Sequence, residues 1–159
     1  MTYSVKSVRS FAAIDALVEA HHVFFQESIY RNLTWRPDKM YQTLAGMMMD
    51  SDYEVLVAYT DDGKVAGFFE FGFDSPCMSE EVALCVYFYV LPEYRYAECS
   101  QMLMDLGTEI CQNRGAKFLW ASSTAGFSDN GCNERAYKMF LKRNGFNEIG
   151  TFLVREFRK

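Results

Sequence analysis

The sequence predicts an α/β domain of the α+β kind, with a central mixed sheet and helices on both faces. Three observations predict it. First, segments of period-two and helical patterning follow one another as β-α-α-β-β-β-α-β-α-β, a strand meander followed by strand-helix-strand crossovers. Second, the run Val82 to Val90 is apolar on both faces, as suits a central strand covered on both sides. Third, the 159 residues are 50% hydrophobic and 23% charged, with 14 Phe, 10 Tyr and 2 Trp, enough for one sizeable core. The chain reads as a single domain over residues 1–159, without repeat, linker or low-complexity segment.

Each element has its own local reason. Met1 to Ser10 alternates polar and apolar residues and has no apolar core of the signal-peptide kind. From Phe11 to Ile29, apolar residues recur at helical spacing through Ile14, Leu17, Val18, His21, Phe24 and Phe25. Pro37 and Asp38 open a second helix, with the stripe Met40, Tyr41, Leu44, Met47 and Met48. Tyr53 to Thr60 and Lys64 to Phe73 are strands joined at Asp61-Asp62-Gly63, with Gly67 an expected bulge. After the central strand, Glu98 to Arg114 is a helix whose stripe is Cys99, Met102, Leu103, Leu106 and Ile110, stopped by Gly115. Ala116 to Ser123 reads as a buried strand and Thr124 to Cys132 as a polar loop. Asn133 to Asn144 is a helix ended by Gly145, and Phe146 to Phe157 is a final strand or strand pair.

Charge and cysteine usage narrow the function classes. Sixteen basic side chains against 21 acidic ones leave a net charge of −5. Such a surface repels a phosphate backbone, so no nucleic-acid partner is expected, and a cationic substrate is mildly favoured. The longest apolar run, Val82 to Leu91, is too short to span a bilayer as a helix, so no membrane partner is expected. Five cysteines, an odd number with no CxxC pair, argue against a disulfide framework or a zinc ribbon. A reduced, cytoplasmic protein without a metal is expected.

The chemistry-bearing stretch is Tyr87-Phe88-Tyr89-Val90-Leu91-Pro92-Glu93-Tyr94-Arg95, a covered strand leading to a basic residue and a helix start. A helix N-terminus presents unpaired N–H groups and the positive end of its dipole, which suits a phosphate. Arg95 would add a charge-assisted contact there. The competing reading is an ordinary strand-to-helix turn with an exposed arginine.

Three stretches in order carry a resemblance. They are Tyr89 to Arg95, then Lys117-Phe118-Leu119-Trp120-Ala121, then Asn133-Glu134-Arg135-Ala136 followed by Lys142-Arg143-Asn144-Gly145-Phe146. At this spacing the chain resembles the GNAT superfamily of N-acetyltransferases over nearly its whole length. The resemblance implies a twisted mixed sheet of about six to seven strands with about four helices on both faces. It implies acetyl-CoA as cosubstrate, held where two central parallel strands splay apart. The main chain of Phe88, Tyr89 and Val90 would pair with the pantetheine arm. The pyrophosphate would rest on the N–H groups of Arg95, Tyr96, Ala97, Glu98, Cys99, Ser100 and Gln101, and Asn133 would touch the CoA arm. The amine would arrive from the opposite side for direct acyl transfer, with no covalent enzyme intermediate.

The sequence departs from that pattern at three places. Glu98 stands at the first loop glycine and Ser100 at the second small position; glycine there would let the backbone approach phosphates without a Cβ. Ser122 stands where some members carry a Glu base, and Phe140 or Leu141 where they carry a Tyr acid. The catalytic candidates are therefore Glu70, relaying a proton through water or else a plain exposed strand glutamate, Tyr137, one turn before the usual acid, and Ser122. His21, His22 and Tyr87 border the expected acceptor side, each with a plain structural role as the alternative. The expected activity is transfer of an acetyl group from acetyl-CoA to a primary amine of a small molecule or a protein. The alternative is a catalytically silent binding or regulatory module, with a partner surface near Met47, Met48 and Met49, or an acyl-CoA sensor. A homodimer through Phe146 to Phe157 is a further expectation.

Overall fold

A computed structural model describes residues 2–74, 80–95, 98–121 and 134–149. The elements, in chain order, are β1 (Tyr3–Ser7), α1 (Ile14–Glu27), α2 (Pro37–Met49), β2 (Tyr53–Thr60), β3 (Val65–Asp74), β4 (Val82–Val90), α3 (Cys99–Arg114), β5 (Phe118–Trp120) and α4 (Glu134–Arg143). The strands form one sheet in sequence order, β1 to β5. Neighbours are antiparallel except β4 and β5, which run parallel and are joined across α3. The mixed sheet with helices on both faces is the expected class. Five strands are described; the further strands expected within 146–157 are absent over 146–149, and the rest lies outside the described residues.

Strand alternation divides the interior into two layers. Val55 and Val57 of β2 and Phe68 of β3 face α1 and α2, against Ile14, Leu17, Phe24 and Leu44. Leu56 of β2 and Phe69, Phe71 and Phe73 of β3 face the opposite way, against Leu103, Met104 and Cys111 of α3 and Leu141 of α4. The bulge in β3 falls between Ala58 and Tyr59 of its partner, opposite Ala66, beside the expected Gly67.

Two sequence expectations change here. Met47 and Met48 are core residues, and of the three methionines only Met49 is exposed, at 77%. Met47 and Met48 lie three and four positions after Leu44 on the inward face of α2, so the expected methionine groove does not form. On α3 the buried line is Cys99, Leu103, Met104, Gly107 and Cys111, rotated from the expected stripe so that Met102, Leu106 and Ile110 are half-buried. Gly107 is the reason. A Cβ there would lie 2.4 Å from Cε1 of Phe69, so only glycine lets the helix approach this ring. Gly107→Ala gains about 1 kcal/mol of helix propensity but overpacks the core by about 1–3 kcal/mol. A lowered melting temperature is therefore expected, and an unchanged one would show that the ring swings aside at no cost. Gly115, at φ +86°, closes α3 in the left-handed conformation, with its N–H donating to Gln112 O at 3.0 Å.

Candidate active site

The site starts from an unpaired strand edge. β5 pairs with β4 only from Val82 to Leu84, and from Cys85 to Val90 no described strand flanks β4 on that side. Next to the point of separation, Glu70 pairs with Tyr87 and Phe71 with Cys85, so Val86 is an extra, bulged residue. Beyond the bulge the ladder alternates. Leu91 N–H donates to Ala66 O at 2.9 Å, which makes Gly67 and Val90 a non-hydrogen-bonded pair and Phe68 and Tyr89 a hydrogen-bonded one. The main-chain groups of Phe88 and Val90 therefore point at the open edge, while those of Tyr89 are committed to β3. Of the three residues expected to offer main chain, two face the gap, and Tyr89 contributes its side chain instead.

β4 runs through Leu91 and a short turn at Pro92–Tyr94 toward α3. The amides of Cys99, Ser100 and Gln101 occupy the first turn of α3, which no carbonyl within the helix reaches. Glu98 precedes them as an exposed residue whose carboxylate makes no capping bond to the helix, so it does not occupy the amide end. Cys99 is buried with its thiol toward Tyr94 O, and burial raises its pKa, so only its amide faces the helix end. The side chain of Gln101 is tied to Asp105 at 2.7 Å and to Asn144, after α4, at 2.6 Å.

Arg95 behaves differently from the sequence expectation. Its N–H closes the turn onto Pro92 O at 3.4 Å. Its Nε donates to Val90 O at 3.2 Å and its Nη2 to Tyr89 Oη at 3.1 Å. The same Nη2 pairs with Oε2 of Glu27, the last residue of α1, and the Tyr89 hydroxyl donates to that oxygen at 2.5 Å. Sequence reasoning passed over Glu27. It continues the line His21, Phe24, Glu27 on α1, but its partner lies 68 positions away.

A buried titratable pair sits under α1. His21 and Glu70 are both 0% exposed, with Nε2 to Oε1 at 3.2 Å. That is an ion-pair distance without hydrogen-bond alignment, and neither Glu70 oxygen has a hydrogen-bond partner among the described residues. His21 Nδ1 lies 2.8 Å from Leu17 O and so carries a proton toward that carbonyl. Nε2 therefore faces the Glu70 carboxyl as a charge partner rather than through an aligned hydrogen bond. Burial alone would lower the His21 pKa, but the Glu70 charge, its hydrogen bond and the Leu17 carbonyl together raise it above the usual value. The imidazole stacks on Phe68 at 4.0 Å and meets Tyr87 edge-on at 5.3 Å. Burial, then the charge of Glu70, raises the Tyr87 pKa.

On the other face, Tyr137 of α4 lies over the open edge, its ring 6.2 Å from that of Phe88. Its hydroxyl is within hydrogen-bond reach of the Cys85 thiol, whose pKa burial pushes up to about 12 despite that bond. The gap beside β4 is thus bordered by Glu70 through Tyr87 on one face and by Tyr137 on the other. His22 stacks on Trp35 at 5.2 Å and stands apart from both. Ser122, Tyr96, Ala97 and Asn133 lie outside the described residues, as does the loop to Cys132. A surface depression of about 550 Å³ between α1 and α2, lined by Asp15, Glu19, Asp38 and Tyr41, is at the far end of α1 from Glu27 and takes no part. Among the described residues, no helix is long and apolar enough to cross a membrane.

The fold is shared with known proteins. The chain aligns over 98% of its length with a transcriptional regulator from Bacillus halodurans C-125, covering 100% of that chain, at TM-score 0.78 and 13% identity. It covers all of AAC(6')-Iy in complex with the bisubstrate analogue CoA-S-monomethyl-acetylneamine, over 100% of its own length, at TM-score 0.73 and 13% identity. Against the ribosomal-protein-alanine N-acetyltransferase from Brucella melitensis biovar Abortus 2308 the values are 0.73 and 16%, over 99% of this chain and 100% of that one. No curated protein sequence gives a significant match. The family model for the acetyltransferase (GNAT) family matches residues 14–146. That span runs from the start of α1 to the end of the site, and the chain belongs to the GNAT acetyltransferase family.

Proposed function

We propose that the protein is an N-acetyltransferase that uses acetyl-CoA to acetylate a primary amine of a small molecule or a protein. The observation that carries this reading is the edge of β4 that β5 leaves open, with the main chain of Phe88 and Val90 aimed outward, the Val90 carbonyl meeting Arg95 Nε, and the strand leading toward the amide end of α3. A pantetheine arm carries amide groups that pair with such an edge, and a diphosphate suits such a helix start. Glu98 makes no capping bond to the first turn of α3, so the amides of Cys99, Ser100 and Gln101 are not taken by its carboxylate.

Acetyl-CoA supplies a thioester whose carbonyl carbon a neutral amine attacks, so that a C–N bond forms as the C–S bond breaks. The chain's own groups orient that encounter and move two protons. Glu70, through Tyr87 or an intervening water, takes the proton that the ammonium must lose before it attacks. Tyr137 returns one to the departing sulfur. Much of the rate then comes from holding the two reactants together in the gap. Ser122 and Asn133 remain candidates for the same site, as do the amides of Tyr96 and Ala97. The cytoplasmic location stays a proposal, as does a homodimer through 146–157. The net charge of −5 favours a cationic acceptor.

Thermal unfolding with acetyl-CoA and with free CoA tests the reading. Binding to the native state at 100 times Kd adds about 2.7 kcal/mol, a shift of several degrees. No shift with millimolar acetyl-CoA overturns the proposal. A shift without thiol release across a panel of amines favours an acyl-CoA sensor, and the regulator among the structural neighbours gives that second reading its place.

A further inference from the structure

We infer that Glu27 competes with the diphosphate of acetyl-CoA for Arg95, so that it holds the arginine off the cofactor until the cofactor arrives. This rests on the acetyl-CoA reading above. Arg95 is the basic side chain nearest in sequence before the amide end of α3, yet its guanidinium is folded back onto α1. The contacts that hold it there include the Glu27 carboxylate, the Tyr89 hydroxyl at 3.1 Å and the Val90 carbonyl at 3.2 Å. Its guanidinium carbon also lies 5.4 Å from the Tyr89 ring centroid. Both members of the ion pair are partly withdrawn from water, with side chains 25% and 31% exposed, so the pair is screened less than a fully exposed one.

An independent feature sets Glu27 apart. It is the last residue of α1, where the helix dipole disfavours a negative charge, and no basic residue in that last turn offsets it. A local rule broken in this way points to a partner elsewhere, and the partner is Arg95. One Glu27 oxygen receives both Arg95 and the Tyr89 hydroxyl, and so fixes the arginine against the end of β4. A diphosphate at the start of α3 presents more negative charge than one carboxylate and draws the guanidinium across. The work of breaking the Glu27 pair is subtracted from cofactor affinity.

The test is calorimetric titration of acetyl-CoA into the wild type, Glu27→Gln, Arg95→Ala and the double variant. Glu27→Gln is expected to tighten acetyl-CoA binding about 3- to 10-fold, as loss of a partly buried ion pair implies. The gain should vanish in the Arg95→Ala background. If Glu27 merely braced the turn, its removal would weaken binding, so the direction separates the two roles. Removing a negative charge from a helix C-terminus does not threaten the fold, and Glu27→Ala provides a second variant lacking the amide's hydrogen bonds. Unchanged or weaker binding in both Glu27 variants overturns the inference, and so does a gain that survives without Arg95. Wild-type protein that binds no acetyl-CoA overturns the cofactor reading itself.

Discussion

His21→Leu is expected to destabilise the protein by about 3–5 kcal/mol, because it strands the Glu70 carboxylate inside the core. Both side chains are 0% exposed, and His21 is the ion-pair partner of a Glu70 carboxyl whose oxygens have no hydrogen-bond partner among the described residues. The double variant His21→Leu/Glu70→Met should recover most of the loss, since apolar residues of similar volume can replace a buried pair at little cost. Chemical denaturation of the three proteins measures both effects. A single variant as stable as the wild type would show that the pair carries no charge in the folded state. The pair also sets a pH dependence. The His21 pKa is raised on folding, so its stabilisation is complete below the unfolded value near 6.5 and is lost as pH rises through the elevated folded value. Wild-type stability should fall across that window, and His21→Leu should lack this component.

Tyr137→Phe is expected to slow amine-dependent thiol release by about 100-fold or more, the scale of a lost general acid. The phenyl ring keeps its place 6.2 Å from Phe88, so acetyl-CoA affinity and melting temperature should change little. Stopped-flow or steady-state thiol detection reads the rate, and calorimetry reads the affinity. A rate within a few-fold of the wild type would remove Tyr137 from the proposed proton path. Tyr137 sits one turn before the position expected from the family resemblance, yet on the face of α4 that meets Phe88. Phe140, three positions on, stacks on Phe88 at 5.4 Å, and Tyr137 shares that face.

Where the hydrophobic pattern decides the structure, the sequence was legible. β4 announces itself by being apolar on both faces, α1 by the line Ile14, Leu17, His21, Phe24, and the end of α3 by Gly115. The face of α3 was misread because periodicity gives weight to large side chains, whereas the closest approach to the sheet is made at Gly107, which has none. Glu70 was visible as a charged residue in an otherwise apolar strand. Its partner was visible only as a histidine in an apolar stripe, and nothing local joins residues 49 positions apart in space-filling contact. The Arg95 side chain illustrates the same limit. Its place beside a helix start is a local fact, but its orientation depends on Glu27 and on the Tyr89 hydroxyl, which only the packing of α1 over β4 brings together. The gap itself depends on where β5 stops pairing, and strand propensity carries no such information.

The central claim is that the open edge of β4 and the start of α3 together receive acetyl-CoA. Amide chemical shifts followed during titration with acetyl-CoA test it residue by residue. The account predicts that the largest changes fall on Phe88 and Val90 and on Cys99, Ser100 and Gln101, with smaller ones at Tyr89. Saturable binding whose shifts bypass these amides, or no shifts at millimolar ligand, would contradict it.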